Sequence, residues 1–123
     1  MKAQVPVLVA VRALREFERR QLAFIRTIED RDLLYEIGYH QAMGRPLSVK
    51  HLLLLGLGSL ATVQRRLRHL RRAGAIRQRR SRADRRALEL TLAPRIWRLF
   101  GSYSGTAGDG GSAARRASSA TGS

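Results

Sequence analysis

The sequence predicts a mainly α-helical chain with a small β-hairpin, an α+β arrangement. Three observations lead there. Apolar residues recur at helical spacing through most of residues 7–73, and Ser and Asp caps and glycine stops divide that stretch. After Gly74 the period switches from 3.6 to 2 over two short runs. Pro94 then opens a further apolar helix, at the position helices favour for proline. The 123 residues suit one modest domain, and an apolar content of 44% suffices for a core.

The elements follow in order. Val7, Val11, Leu14, Leu22, Ile25 and Ile28 stand at spacings of three, four and seven, so the periodicity predicts one long amphipathic helix over 7–28. Its stripe is generous for so small a domain, which leaves some of the amphipathic segment 1–30 free for a partner chain, as a dimerisation helix would be. Asp30 or Asp32 is expected to cap a second helix through Leu33, Leu34, Ile37 and Ala42, ending near Gly44. Ser48 caps a short helix, Val49 to Leu55; Gly56-Leu57-Gly58 makes a tight turn; Ser59 caps a helix from Leu60 to Ala73. The two alternating runs, 76–80 and 87–92, read as a hairpin with a basic tip at Ser81-Arg82-Ala83-Asp84-Arg85. The last helix carries Ile96, Trp97, Leu99 and Phe100 and ends near Tyr103. Residues 105–123 are Gly/Ser/Ala-rich and lack apolar periodicity, so they are expected to be a disordered tail, with Arg115-Arg116 inside it. Short helix, glycine turn, second helix and hairpin together make a winged helix-turn-helix over residues 31–104.

Charge is concentrated. The chain carries 24 Lys+Arg against 9 Asp+Glu, a net of +15, and 22 of the basic residues are Arg. Residues 1–44 are nearly balanced at +1, whereas residues 45–86 hold thirteen basic residues and one acid, Asp84. A solubilising surface needs no such concentration; a polyanion-binding face does. On a helical projection from Leu60, Val63, Leu67 and Leu70 share one side. Ala61, Thr62, Arg65, His69 and Arg72 point the other way, flanked by Arg66 and Arg68. Small residues at the start let the helix approach base edges, and the guanidiniums reach guanine or phosphate. Arg65, Arg66, Arg68, Arg71 and Arg72 have no acidic residue at three or four positions' distance, so their mutual repulsion calls for an external anion. Ser59 and the open amides after it can hold a phosphate, and Ser48 and Lys50 are placed to lie against a nucleic-acid backbone.

Other chemistry is excluded or lacks support. With no Cys there is no disulfide framework, thiolate zinc site or thiol nucleophile. His40, His51 and His69 lie on separate elements without ligand spacing, no Walker-type loop exists, and no catalytic constellation forms. An enzyme is not expected, nor a cofactor. The apolar run Val5–Val11 ends at Arg12, far short of the ~20 residues a membrane span requires, and no signal-peptide cleavage pattern follows it. A cytoplasmic, nucleoid-associated protein with no membrane partner is the expectation.

The stretch from Asp32 to Thr91 resembles the MarR-type winged-helix transcriptional regulators. The matching pieces are Leu47-Ser48-Val49, Gly58-Ser59-Leu60-Ala61-Thr62-Val63 and Leu67-Arg68-His69-Leu70-Arg71-Arg72-Ala73-Gly74-Ala75-Ile76. Asp84-Arg85-Arg86 with Leu90-Thr91 matches the family's wing signature of Asp-x-Arg followed by Leu-Thr. The resemblance implies a homodimer on double-stranded DNA, with the recognition helix, 59–73, in the major groove and the wing, 77–91, in the minor groove. Arg79, Arg82, Arg85 and Arg86 would then be wing contacts, and Asp84 would hold the wing arginine in place. Family members usually end in a long helix that pairs with the partner's first helix. Here the final helix is short, so the dimer would rest on residues 7–28 and the Trp97/Phe100 patch. Family effector sites lie in the zone of Tyr35, Tyr39 and His40, where no small-molecule effector site is evident. The alternative reading is an architectural winged-helix protein that binds DNA or RNA without base readout; a third is a partner-binding adaptor acting through its first helix.

Overall fold

The computed structural model describes residues 4–106. The chain divides into two compact units, Phe24–Ile96 and a second formed from Met1–Ala23 with Trp97–Ser123. Residues 107–123, which include Arg115-Arg116 and most of the expected disordered tail, lie outside the described part, as does Lys2.

Unit Phe24–Ile96 begins with helix α2 (Ile28–Ala42). Its N-cap is Thr27, and neither Asp30 nor Asp32 fills that place. The Thr27 hydroxyl accepts the Asp30 amide at 3.0 Å, and the Asp30 carboxylate accepts the Thr27 amide at 3.2 Å, a reciprocal capping box. This cap overturns the single helix expected over 7–28. Helix α1 (Gln4–Gln21) stops six residues earlier than the cap, and Thr27 is extended. Leu22 and Ile28 keep the helical phase in sequence but not in environment: Leu22 is buried, Ile28 is 67% exposed.

Chain order then runs β1 (Leu47–Ser48), α3 (Val49–Leu53), α4 (Leu60–Arg72), β2 (Ile76–Arg80) and β3 (Leu88–Leu92). The sheet is antiparallel in the order β1-β3-β2, with Ile76 opposite Leu92, Arg80 opposite Leu88 and Leu47 opposite Leu90. The hairpin matches expectation. β1 does not, because two residues leave no period to detect. Leu33, Leu34 and Ile37 of α2, Leu52 of α3, Val63, Leu67 and Leu70 of α4, and Leu90 and Leu92 of β3 are buried together with Ile96. α2 lies so close to β3 that a Cβ on Gly38 would stand 3.0 Å from Leu92 Cδ1. Nearby, the Gln41 side chain accepts the Leu92 amide at 2.8 Å.

Helix α4 ends where the sequence predicts. Gly74 takes φ +72°, a conformation L side chains rarely adopt. That lets the Ala75 amide reach the Leu70 carbonyl at 2.9 Å and the Gly74 amide reach Arg71 at 3.0 Å. The Arg95 guanidinium donates to the Ala73 and Gly74 carbonyls, at 3.1 and 3.4 Å.

In the second unit, Phe17 of α1 stacks in tilted fashion with Phe100 and Tyr103 of α5 (Pro94–Thr106), with centroids 5.5 and 4.8 Å apart. α5 thus runs three residues past its expected end. Val5, Val7, Leu8, Val9 and Val11 of α1 are all half or more exposed. Among the described residues no helix is long and apolar enough to cross a membrane.

Candidate nucleic-acid interface

Local capping sets out the two helices of the candidate interface. The Ser48 hydroxyl accepts the His51 amide at 3.1 Å and so opens α3, leaving Lys50 exposed. The Ser59 hydroxyl accepts the Thr62 amide at 3.2 Å and donates to the Thr62 hydroxyl at 2.9 Å, opening α4. With Val63, Leu67 and Leu70 pointing inward, Ala61, Arg65, Arg68 and Arg72 are exposed on the opposite side. Thr62 is half-buried at one margin of this surface.

Two of the expected contacts turn elsewhere. Arg66 and His69 sit on one shoulder of α4 and close onto Asp30 of α2. Arg66 Nε and Nη2 donate to the two carboxylate oxygens at 2.6 and 3.1 Å, a fork-on-fork pair, and the Arg66 side chain is only 17% exposed. His69 Nε2 lies 3.7 Å from Asp30 Oδ2 and 2.7 Å from the Phe24 carbonyl. A carbonyl can only accept, so Nε2 carries a proton and donates it to this bond. Helical projection finds partners three or four residues away; Asp30 is 36 residues from Arg66, beyond its reach. The correction leaves Arg65, Arg68 and Arg72, with Arg71 at the margin, as the outward cations of the helix. Arg71 donates to the Gln78 side chain at 3.3 Å.

Asp30 is completely buried. Burial alone would push its carboxyl upward. The Arg66 hydrogen bonds, the Arg26 amide at 2.9 Å and the charges of Arg66 and His69 outweigh that and hold it below the usual carboxylate range.

The wing is built by backbone capture. The Ser81 hydroxyl, buried, accepts the amides of Ala83 and Asp84 at 3.1 and 3.2 Å. Asp84 Oδ1 accepts the Arg86 amide at 3.0 Å, and Arg80 Nη1 donates to the Arg85 carbonyl at 2.8 Å. Asp84 therefore shapes the turn through the Arg86 backbone instead of gripping an arginine side chain. Arg79, Arg82, Arg85 and Arg86 are left exposed. Ser81 and Arg80 were missing from the sequence-based site; a Ser two residues before a turn alanine is too common a pattern to single out.

On α2, His40 Nε2 lies 3.4 Å from Glu36 and edge-on to Tyr39, which is exposed. Among the described residues no group of three or more His, Asp or Glu side chains could hold a metal ion.

No family model matches the chain, and no curated protein is similar to it at a significant level. Solved structures are similar in fold. The transcriptional regulator Tm0710 from Thermotoga maritima superposes with a TM-score of 0.58 at 20% identity, covering 82% of this chain and 68% of that one. MarR gives 0.53 at 20% identity, covering 82% and 72%. The S. aureus MepR–DNA complex gives 0.52 at 18% identity, covering 85% and 75%. The chain has the MarR-type winged-helix fold.

Proposed function

We propose that this chain is a sequence-specific regulator of transcription that binds double-stranded DNA as a homodimer, with residues 59–73 in the major groove and 77–91 in the minor groove. One observation carries the reading. The outward face of α4 and the wing beside it in sequence present Arg65, Arg68, Arg72, Arg82, Arg85 and Arg86, and the single acid of residues 45–86, Asp84, has its carboxylate on a backbone amide. A surface on which arginines so outnumber carboxylates is stabilised by a polyanion. Its fold is also that of the MepR protein solved with DNA.

Dimerisation is supported by the exposed aliphatic run of α1, Val5 to Val11, which a second copy would remove from water. Two-fold symmetry then sets half-sites about 10 bp apart. The place of action is the cytoplasm, on the nucleoid.

The test is selection of bound duplexes from a random-sequence library, followed by titration of variants. On the selected duplex Arg65→Ala costs about 1–3 kcal/mol and relaxes sequence choice, whereas Lys50→Ala weakens selected and random duplexes alike. Retention of duplexes with no sequence enriched would instead establish an architectural binder, and retention of none an adaptor.

A further inference from the structure

We infer that Asp30 is a positioning residue for the DNA-reading helix: it holds Arg66 and His69 away from the nucleic acid and fixes the roll of α4 about its own axis. The inference rests on the function proposed above. Asp30 is itself immobilised, because its carboxylate accepts the Arg26 and Thr27 amides while its own amide is held by the Thr27 hydroxyl. A carboxylate fixed to the first turn of α2 accepts a guanidinium fork in one orientation only, at 2.6 and 3.1 Å. His69, one turn further along the same shoulder, is held by the Phe24 carbonyl just ahead of that turn, at 2.7 Å. The opposite shoulder is tied by Arg71 to Gln78 of β2. Between these two ties the outward strip of α4 is that of Ala61, Gln64, Arg65, Arg68 and Arg72. Rolling the helix by one position, about 100°, would replace that strip entirely.

A positioning role and a direct contact differ in their response to salt. A side chain that neutralises one phosphate contributes about 0.9 to the slope of log K against log salt. With Arg66→Gln, we expect the slope on random-sequence duplex to stay at the wild-type value. The preference for the selected duplex over random duplex falls tenfold or more. With Asp30→Asn, the preference falls similarly and the slope steepens by about 0.9, because Arg66 is freed to reach a phosphate. Arg66→Lys keeps the charge but not the fork, and it lowers preference at constant slope even if the other variants prove too unstable to purify.

A slope reduced by about 0.9 in Arg66→Gln with preference intact would make Arg66 a phosphate contact and overturn the inference. So would an unchanged preference in Arg66→Lys or Asp30→Asn. If wild-type protein enriches no sequence, the regulator reading fails, while the slopes of Arg66→Gln and Asp30→Asn on random duplex still decide whether Asp30 keeps Arg66 off the phosphates.

Discussion

Helices α1 and α4 are both arginine-rich and amphipathic, and they differ in how the charge is answered. α1 carries Arg12, Arg15, Arg19 and Arg20 with Glu16 and Glu18 on the same helix; Arg12 pairs with Glu16 at 3.4 Å and Arg15 with Glu18 at 3.7 Å. α4 carries five arginines and no acid. One of the five finds a carboxylate across the fold, and the rest face outward or reach a neutral amide. The contrast extends to the apolar side. α4 buries its aliphatic stripe within its own chain, whereas α1 leaves Val5 to Val11 exposed. Charge half answered within the helix, with an unburied apolar run, suits a protein partner; uncompensated charge over a buried stripe suits an anion.

The contrast can be broken most severely at the one place where α4 is answered. Asp30→Ala leaves the half-buried Arg66 without its partner and is expected to lower stability by about 3–5 kcal/mol, read as a lower denaturation midpoint at unchanged m-value. pH reports on the same group. Its folded pKa lies below the ordinary 3.8, so its stabilisation is complete above that value. It is lost as pH falls through the folded value, so acid unfolding of wild type should steepen below about pH 4 and be blunted in Asp30→Asn.

Next in size, Leu8→Glu on α1 removes about 1.5–3 kcal/mol of apolar burial per protomer and should shift micromolar protein from dimer to monomer in light scattering. A wild-type monomer under those conditions would cancel the contrast. Ser59→Ala removes the α4 cap at about 1 kcal/mol, measured by thermal unfolding. Arg12→Ala breaks only an exposed pair and should change stability by less than about 0.5 kcal/mol in the same measurement.

What could be read in advance was whatever is local. Ser48 and Ser59 reach amides three residues on, Gly74 completes a motif spanning six, and the hairpin declares itself by alternation. The end of α1 is not legible locally, because Leu22, Ile25 and Ile28 preserve helical phase across a break that the Thr27–Asp30 box enforces. Composition could count the arginines of α4 but could not tell Arg66 from Arg65.

By itself, then, the sequence determined the succession of helices and hairpin, the caps that bound them and the acid-free cationic helix, since each depends on neighbours within one or two turns. Tertiary structure alone decided which arginines are spent inside and which face out. Asp30 meets Arg66 across 36 residues and Gln41 meets Leu92 across 51, contacts that exist only once the core has brought α2 against α4 and β3.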